Sequence, residues 1–315
     1  MSPPNPDRRT VLAAFLASAI APVTLAAGSD RMRLVGCLSP WRSAPPLAKP
    51  MAAVGFVEGE NLRFESRSHV GPDARVLGET ARELVATRPD AIVAYAPNHI
   101  SALLVATRTI PIVCGSIPDP VAAGFAQSLR HPGGNVTGLS TGSHEMWPIV
   151  IGMLRALRPR LKRVFVVHSP EMPVEIQMRS HREAAGAAGL EWGHVPVSTL
   201  AQAEAALVPL AGEAVHIAPI TSAEIARHVL EIAHTHRIMT FGGADALMGY
   251  SRHFTDELQR IAAILAQVLR GADPGAIPFE LPDRTDLTLN RAVARRVGVE
   301  FPPDMLLRAN RVIDG

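Results

Sequence analysis

The sequence predicts an α/β protein of two doubly wound parallel-sheet lobes with a hinge and an interlobe cleft. Three observations predict it. Short apolar runs recur, such as Ala91-Ile92-Val93-Ala94, Ile110-Pro111-Ile112-Val113-Cys114 and Ala214-Val215-His216-Ile217-Ala218, with the length of strands buried on both faces. Stretches of helical spacing or helix-start signals follow them. The alternation continues through both halves of the 315-residue chain with no low-complexity linker, which implies several short crossovers.

In the first half, Met32 to Leu38 reads as a strand, and Ser39-Pro40-Trp41 as the loop at its carboxyl end. Pro45, Pro46 and Pro50 crowd the next segment and shorten any helix there. Leu62 to Arg67 alternates as a strand with one wet face, and Asp73 to Thr87 places Val76, Leu77, Ala81 and Leu84 on one helix side. After the Ala91 strand, Asn98 can cap a helix from Ile100 to Thr107. Beyond the Ile110 strand, Asp119 before Pro120 reads as a cap, with a helix from Pro120 through Val121, Phe125 and Leu129. It should stop at His131-Pro132-Gly133-Gly134, and Asn135 to Ser140 should be extended.

The second half repeats the scheme. Helices are expected over Met146 to Leu157, Val174 to Gly189, Leu200 to Leu210 and, capped by Ser222, Ala223 to His236. Strands are expected over Arg163 to His168, Leu190 to Val197, Ala214 to Ala218 and Ile238 to Phe241. Asp256 to Leu269 should be a helix crossing back to the first lobe. The expected boundaries are 28–140 for the N-terminal lobe, with part of 250–290 returning to it, 141–249 for the C-terminal lobe, and 291–315 for a C-terminal helical tail.

Residues 1–27 read as a secretory leader. Arg8-Arg9 precedes an apolar run from Val11 to Ala27, small residues Thr24 and Ala26 suit a signal peptidase, and the arginine pair points to the twin-arginine route. A retained membrane anchor is the alternative, but the run is near the lower limit for spanning and contains Pro22. The mature chain is therefore expected in the periplasm. Leu34-Val35-Gly36-Cys37 fits a lipid-attachment box formally, yet Ser29 to Arg33 separates it from the apolar run, and it reads better as strand. Cys37 and Cys114 lie on strands with the Ala91 strand expected between them. Two strand spacings of about 4.8 Å exceed the roughly 7 Å reach of a disulfide, so both are expected as small buried residues.

Composition excludes several function classes. A net charge of +2, from 31 basic and 29 acidic residues, gives no electrostatic reason to expect nucleic acid, and 4% aromatic content argues against base-stacking platforms. Paired-cysteine zinc spacing, a phosphate loop and a nucleophile elbow are absent from the sequence. His234 and His236 are two apart on a predicted helix and do not share a face. Neither enzyme chemistry, nor metal, nor cofactor is expected.

Ile110-Pro111-Ile112-Val113, Asp119-Pro120-Val121 followed by Gly124, and Pro132-Gly133-Gly134-Asn135-Val136-Thr137-Gly138 together resemble the central signature of substrate-binding proteins of ABC transporters. Gly55-Phe56-Val57-Glu58-Gly59-Glu60-Asn61-Leu62 upstream resembles another family segment. So do Leu289-Asn290, Ala294, Gly298-Val299 and Pro302 downstream, with Leu306-Leu307-Arg308-Ala309, where the arginine directly follows the leucine pair. The resemblance implies a type 1-like periplasmic binding protein: a monomer that closes on a small solute, an amino acid in some members, and delivers it to an ABC permease in the inner membrane. A ligand sensor for a membrane-bound regulator, without transport, is the alternative. The shortened first crossover is the departure from the family pattern.

Ligand groups are expected in the loops at strand carboxyl ends and at helix N-termini, where free N–H groups favour anions. Ser39 and Trp41 follow the first strand, and Trp41 either stacks on an apolar ligand or packs beneath the shortened loop. Asn98 and His99 open a helix, as cap and as carboxylate-binding positions. Ser116 is a donor to ligand, while Asp119 reads first as a cap. From the opposite lobe come Ser169, Thr221 and Asp245, with Asp245 either holding a ligand ammonium or making a turn.

Overall fold

β1 (Arg33–Ser39) lies parallel between β2 (Leu62–Ser68) and β3 (Ala91–Ala94), and both its faces are covered: Val35 and Cys37 pack with Ile261 and Leu265, and Leu38 with Leu84 and Ile100. The computed structural model describes residues 31–40, 46–69, 73–170, 174, 178–218, 223–243 and 245–314. The predicted leader lies outside the described residues.

The first sheet has the order β2-β1-β3-β4-β5, all parallel, with β4 at Ile112–Ile117 and β5 at Val136–Ser140. Short α1 (Ala48–Ala53) carries Pro50 in its first turn, and α2 (Ala74–Ala86) starts where Asp73 Oδ1 accepts from Arg75 and Val76 N–H at 2.9 and 3.1 Å. α3 (Pro97–Ala106) begins three residues earlier than expected: Ala96 is its N-cap and makes no side-chain bond, and Pro97, with φ pre-set, takes the first turn. Asn98 is therefore inside the helix and is not its cap. A second correction concerns 120–129. Asp119 caps as expected, but Phe125 and Ala126 both turn back to the Pro120 carbonyl, Gly124 sits at φ +76°, and one turn replaces the helix. β5 lies so close to β4 that a Cβ at Gly138, where φ is +139°, would collide with the Cys114 carbonyl; only glycine fits there.

Cys37 and Cys114 are free and buried on strands separated by β3, and burial pushes both thiols up to about 12. The Cys37 tetrapeptide is thus strand.

The second sheet begins after α4 (Ser143–Leu157), which starts three residues before the expected Met146. Its strands are β6 (Arg163–His168), β7 (Glu191–Pro196), β8 (Ala214–Ile217), β9 (Met239–Phe241) and β10 (Met248–His253), with α5 (Arg179–Ala187), α6 (Leu200–Leu207) and α7 (Ala223–Thr235) between them. The chain then recrosses. Ile261, Leu265 and Leu269 of α8 (Glu257–Leu269) join the core of the first sheet with Val35, Val93 and Val113. β11 (Arg284–Asn290) returns antiparallel to β10, and after α9 (Arg291–Val297) and α10 (Pro303–Arg308), β12 (Arg311–Ile313) pairs with β11. The order is β12-β11-β10-β9-β8-β6-β7. Among the described residues no helix is long and apolar enough to cross a membrane.

A layer of aromatic and imidazole rings fills the second lobe between its sheet and α4 and α5. His194 and His216 flank Val166 in register, and Phe241 is paired beside His216. His181 of α5 stacks on His216 and Phe241 at 5.6 and 5.8 Å, Trp147 of α4 meets His181 and His216 edge-on at 4.6 and 4.8 Å, and Trp192 Nε1 donates to His181 Nδ1 at 2.7 Å. His181 Nε2, His216 Nδ1 and Trp147 Nε1 are buried without hydrogen-bond partners.

Burial holds His181, His216, His99 and His234 neutral. It pushes His216 down to about 3 and His99 and His234 down to about 4, and burial, then the neighbouring His216, lowers His181 well below the usual value. The unfolded chain binds protons from about pH 6.5 downward. Stability from these groups is therefore complete above that pH and lost as pH falls toward 4 and then 3. The thermal unfolding midpoint should decline steadily from pH 6.5 to 4, and His216→Phe, which keeps a ring in the stack, should flatten the decline. A midpoint constant over that range would contradict the burial argument.

Candidate ligand-binding site

Parallel strands present their carboxyl ends on one side of each sheet, where loops and helix N-termini gather. In the first lobe this rim brings together Ser39, His99, Ser116 and Asp119, four of the residues expected from the sequence. Ser39 ends β1, is 2% exposed, and its carbonyl accepts the His69 N–H at 3.1 Å. His99 is 1% exposed in the first turn of α3. Asn98 departs from this group: it is exposed and lines a groove of about 460 Å³ between α2 and α3, with Leu77, Ala102 and Val105. Trp41 lies outside the described residues.

Ser116 is half-buried, and its backbone N–H donates to Glu257 Oε1 at 3.2 Å. Asp119 serves two partners. Its Oδ1 caps Val121 and Ala122 at 3.1 and 2.9 Å, while its Oδ2 accepts the Ser180 hydroxyl of α5 at 2.9 Å. That last bond ties the first lobe to the second.

From the second lobe, Ser169 follows β6, and its carbonyl accepts from His168 Nδ1 at 2.7 Å. With Nδ1 donating, His168 Nε2 faces His194 Nδ1 at 3.1 Å; burial lowers the His168 pKa, the Ser169 carbonyl raises it and His194 lowers it. Asp245 is exposed beyond Gly242-Gly243, and Thr221 lies outside the described residues.

Sequence reasoning missed His69, Ser180 and Glu257. His69, 7% exposed just past β2, meets the His99 ring edge-on at 6.2 Å, and both rings carry a buried Nδ1 without a hydrogen-bond partner. Burial dominates at His99, and the backbone at His69 and Leu38 works against it by favouring the protonated ring. In a neutral imidazole one ring nitrogen donates and the other accepts, so each unpartnered Nδ1 is a free hydrogen-bonding position. Leaving such a group dry costs about 1–3 kcal/mol. The rim thus offers a polar ligand two unfilled hydrogen-bonding positions. Alternation through β2 could have drawn attention to His69; Ser180 and Glu257 sit at helix starts whose first-turn residues carry no cleft signal of their own.

A family model described as ABC transporter substrate binding protein matches residues 46–313. A tyrosine-binding protein of Clostridioides difficile (strain R20291) is 25% identical over 265 residues, covering 80% of this chain and 75% of that protein. Among solved structures, a conserved domain protein from Vibrio cholerae O1 biovar El Tor str. N16961 has a TM-score of 0.68 at 24% identity, and the ABC domain in complex with L-Trp from Streptococcus pneumonia has 0.67 at 22%. Each comparison covers 90% of this chain and 100% of the other. These likenesses carry the two-lobed α/β fold.

The Asp119–Ser180 bond gives a direct test of the contact between lobes. Ser180→Ala leaves the cap intact and should lower stability in urea unfolding by about 1.5–3 kcal/mol, the value of a hydrogen bond to a charged acceptor. Asp119→Ala loses the cap as well and should cost roughly 1 kcal/mol more. Equal stability of Ser180→Ala and the parent chain would mean the lobes are not held by this bond.

Proposed function

We propose that this chain, which belongs to the family of ABC transporter substrate-binding proteins, binds an amino acid, aromatic by preference, between its lobes and delivers it to an ABC permease in the inner membrane. The family is one of binding proteins and not of enzymes. Export by the leader at 1–27 puts the mature chain in the periplasm, where it acts as a monomer.

The carrying observation is the pair of buried, unpartnered Nδ1 atoms on His69 and His99 at a strand-end rim. A ligand with N–H or O–H groups relieves what the rim leaves unsatisfied. The α3 N-terminus has no side-chain cap, and its backbone N–H groups suit a carboxylate. An amino acid offers both kinds of group. The tyrosine-binding relative and the L-Trp complex support an aromatic side chain on it.

Closure on the solute removes it from water and gives a permease a surface that differs between loaded and empty protein. Thermal-shift measurement against L-tryptophan, L-tyrosine, L-phenylalanine, non-aromatic amino acids and sugars tests the ligand. A ligand at 100 times its Kd adds about 2.7 kcal/mol. A clear rise in melting temperature with an aromatic amino acid is expected. No rise with any amino acid, or a rise with sugars alone, would overturn the proposed solute.

A further inference from the structure

Glu257 opens α8 where the chain re-enters the first lobe, and its contact with the Ser116 N–H at 3.2 Å sets its carboxylate beside the carboxyl end of β4. It is half-buried. The helix N-terminus and one N–H give that carboxylate only partial positive charges, which leaves room for a ligand cation to add to them.

The arginines of this region are committed elsewhere. Arg260 pairs with Glu280 and Asp283 at 2.8 and 2.9 Å, and Arg252 pairs with Glu145 at 2.8 Å and bonds to the Gly142 carbonyl at 3.2 Å. Among the described residues no basic side chain forms an ion pair with Glu257.

The other carboxylates considered for a ligand cation are placed less well. Both oxygens of Asp119 already accept, from Val121, Ala122 and Ser180. Asp245 is exposed, where an ion pair is worth little. Tyr95 marks the space around Glu257: its ring lies against Gly115, next to Ser116. Burial chiefly, then Cys37 and Glu257, hold its phenol up, so it stands there as a neutral hydroxyl within electrostatic reach of the carboxylate. Farther along the same rim, His69 and His99, each more than nine-tenths buried, hold the unpartnered Nδ1 atoms.

We propose that Glu257 is the specificity-determining acid of the cleft, receiving the ammonium group of a zwitterionic amino acid, and that its bond to Ser116 positions it for that role. The inference rests on the amino-acid reading above and adds the group that separates amino acids from carboxylic acids of the same shape.

Calorimetric titration of the full mature chain with L-tryptophan, L-tyrosine and their deaminated analogues, 3-(indol-3-yl)propanoate and 3-(4-hydroxyphenyl)propanoate, tests it. Glu257→Gln keeps size and the acceptor for Ser116. It should weaken amino-acid binding about 10–100-fold, the value of a charged hydrogen bond, and leave the deaminated analogues unchanged. Parent chain that binds neither amino acid overturns the proposed solute and this inference with it. Binding of the amino acid equally by both chains overturns the inference alone, as does equal loss of amino acid and analogue, which would make Glu257 a prop of the fold. If the variant folds poorly, the parent chain decides: at least about tenfold preference for the amino acid over its analogue is expected, and equal affinity contradicts the role.

Discussion

One carbonyl oxygen holds the end of β4 against the segment that leaves for the second lobe. Pro118 O accepts the hydroxyls of Ser140, Thr141 and Ser143, at 3.3, 3.4 and 3.0 Å, and the Ser143 N–H at 3.2 Å. The donors come from three residues of the departing segment, so together they hold this carbonyl in place. The residues on either side inherit that placement. Ser116 is held toward Glu257, and Asp119 toward Ser180. The rim, the contact between lobes and the first crossing are therefore parts of one short piece of chain.

The other crossings are secured by separate bonds. Arg260 joins α8 to Glu280 and Asp283, Asp283 accepts the Thr255 N–H at 2.9 Å, and Glu280 exchanges backbone bonds with Gly138 and Ser140 beside β5. Polar crossings of this sort rearrange at less cost than the apolar cores on either side, where Val35, Val93, Val113 and Ile261 are fully buried in one lobe and Val164, Leu154 and Leu289 in the other. Motion between lobes should be taken up at the crossings, which is what closure on a solute requires.

Much of the fold was legible in the sequence because buried parallel strands are nearly pure apolar runs. β3, β6, β8 and β9 were expected within a residue of where they lie, and β4 within three. Helix starts were less legible. Asn98 has the chemistry of a cap, yet Pro97 suits the first turn better and the helix begins ahead of it. Asp119-Pro120 carries a correct start signal, but Gly124 adopts positive φ and ends the turn, a tertiary choice that local pattern does not show. The site divides the same way. Ser39, His99, Ser116 and Asp119 lie together on the rim as expected because strand-end position is a sequence property. His69, Ser180 and Glu257 were not expected, because their importance comes from partners 30, 61 and 141 positions away in the chain. The buried imidazole layer was hidden too: His181, His194 and His216 lie in separate elements and meet only through sheet register and the packing of α5.

The central claim is that a solute is gripped between two lobes that close on it. Small-angle X-ray scattering of the mature chain, with and without a saturating amino acid that binds it, measures this most directly. A smaller radius of gyration is expected in the presence of the ligand, with any open molecules of the free chain drawn into the closed form. A bound ligand with no contraction, in a free chain that scattering shows to be already open, would contradict it.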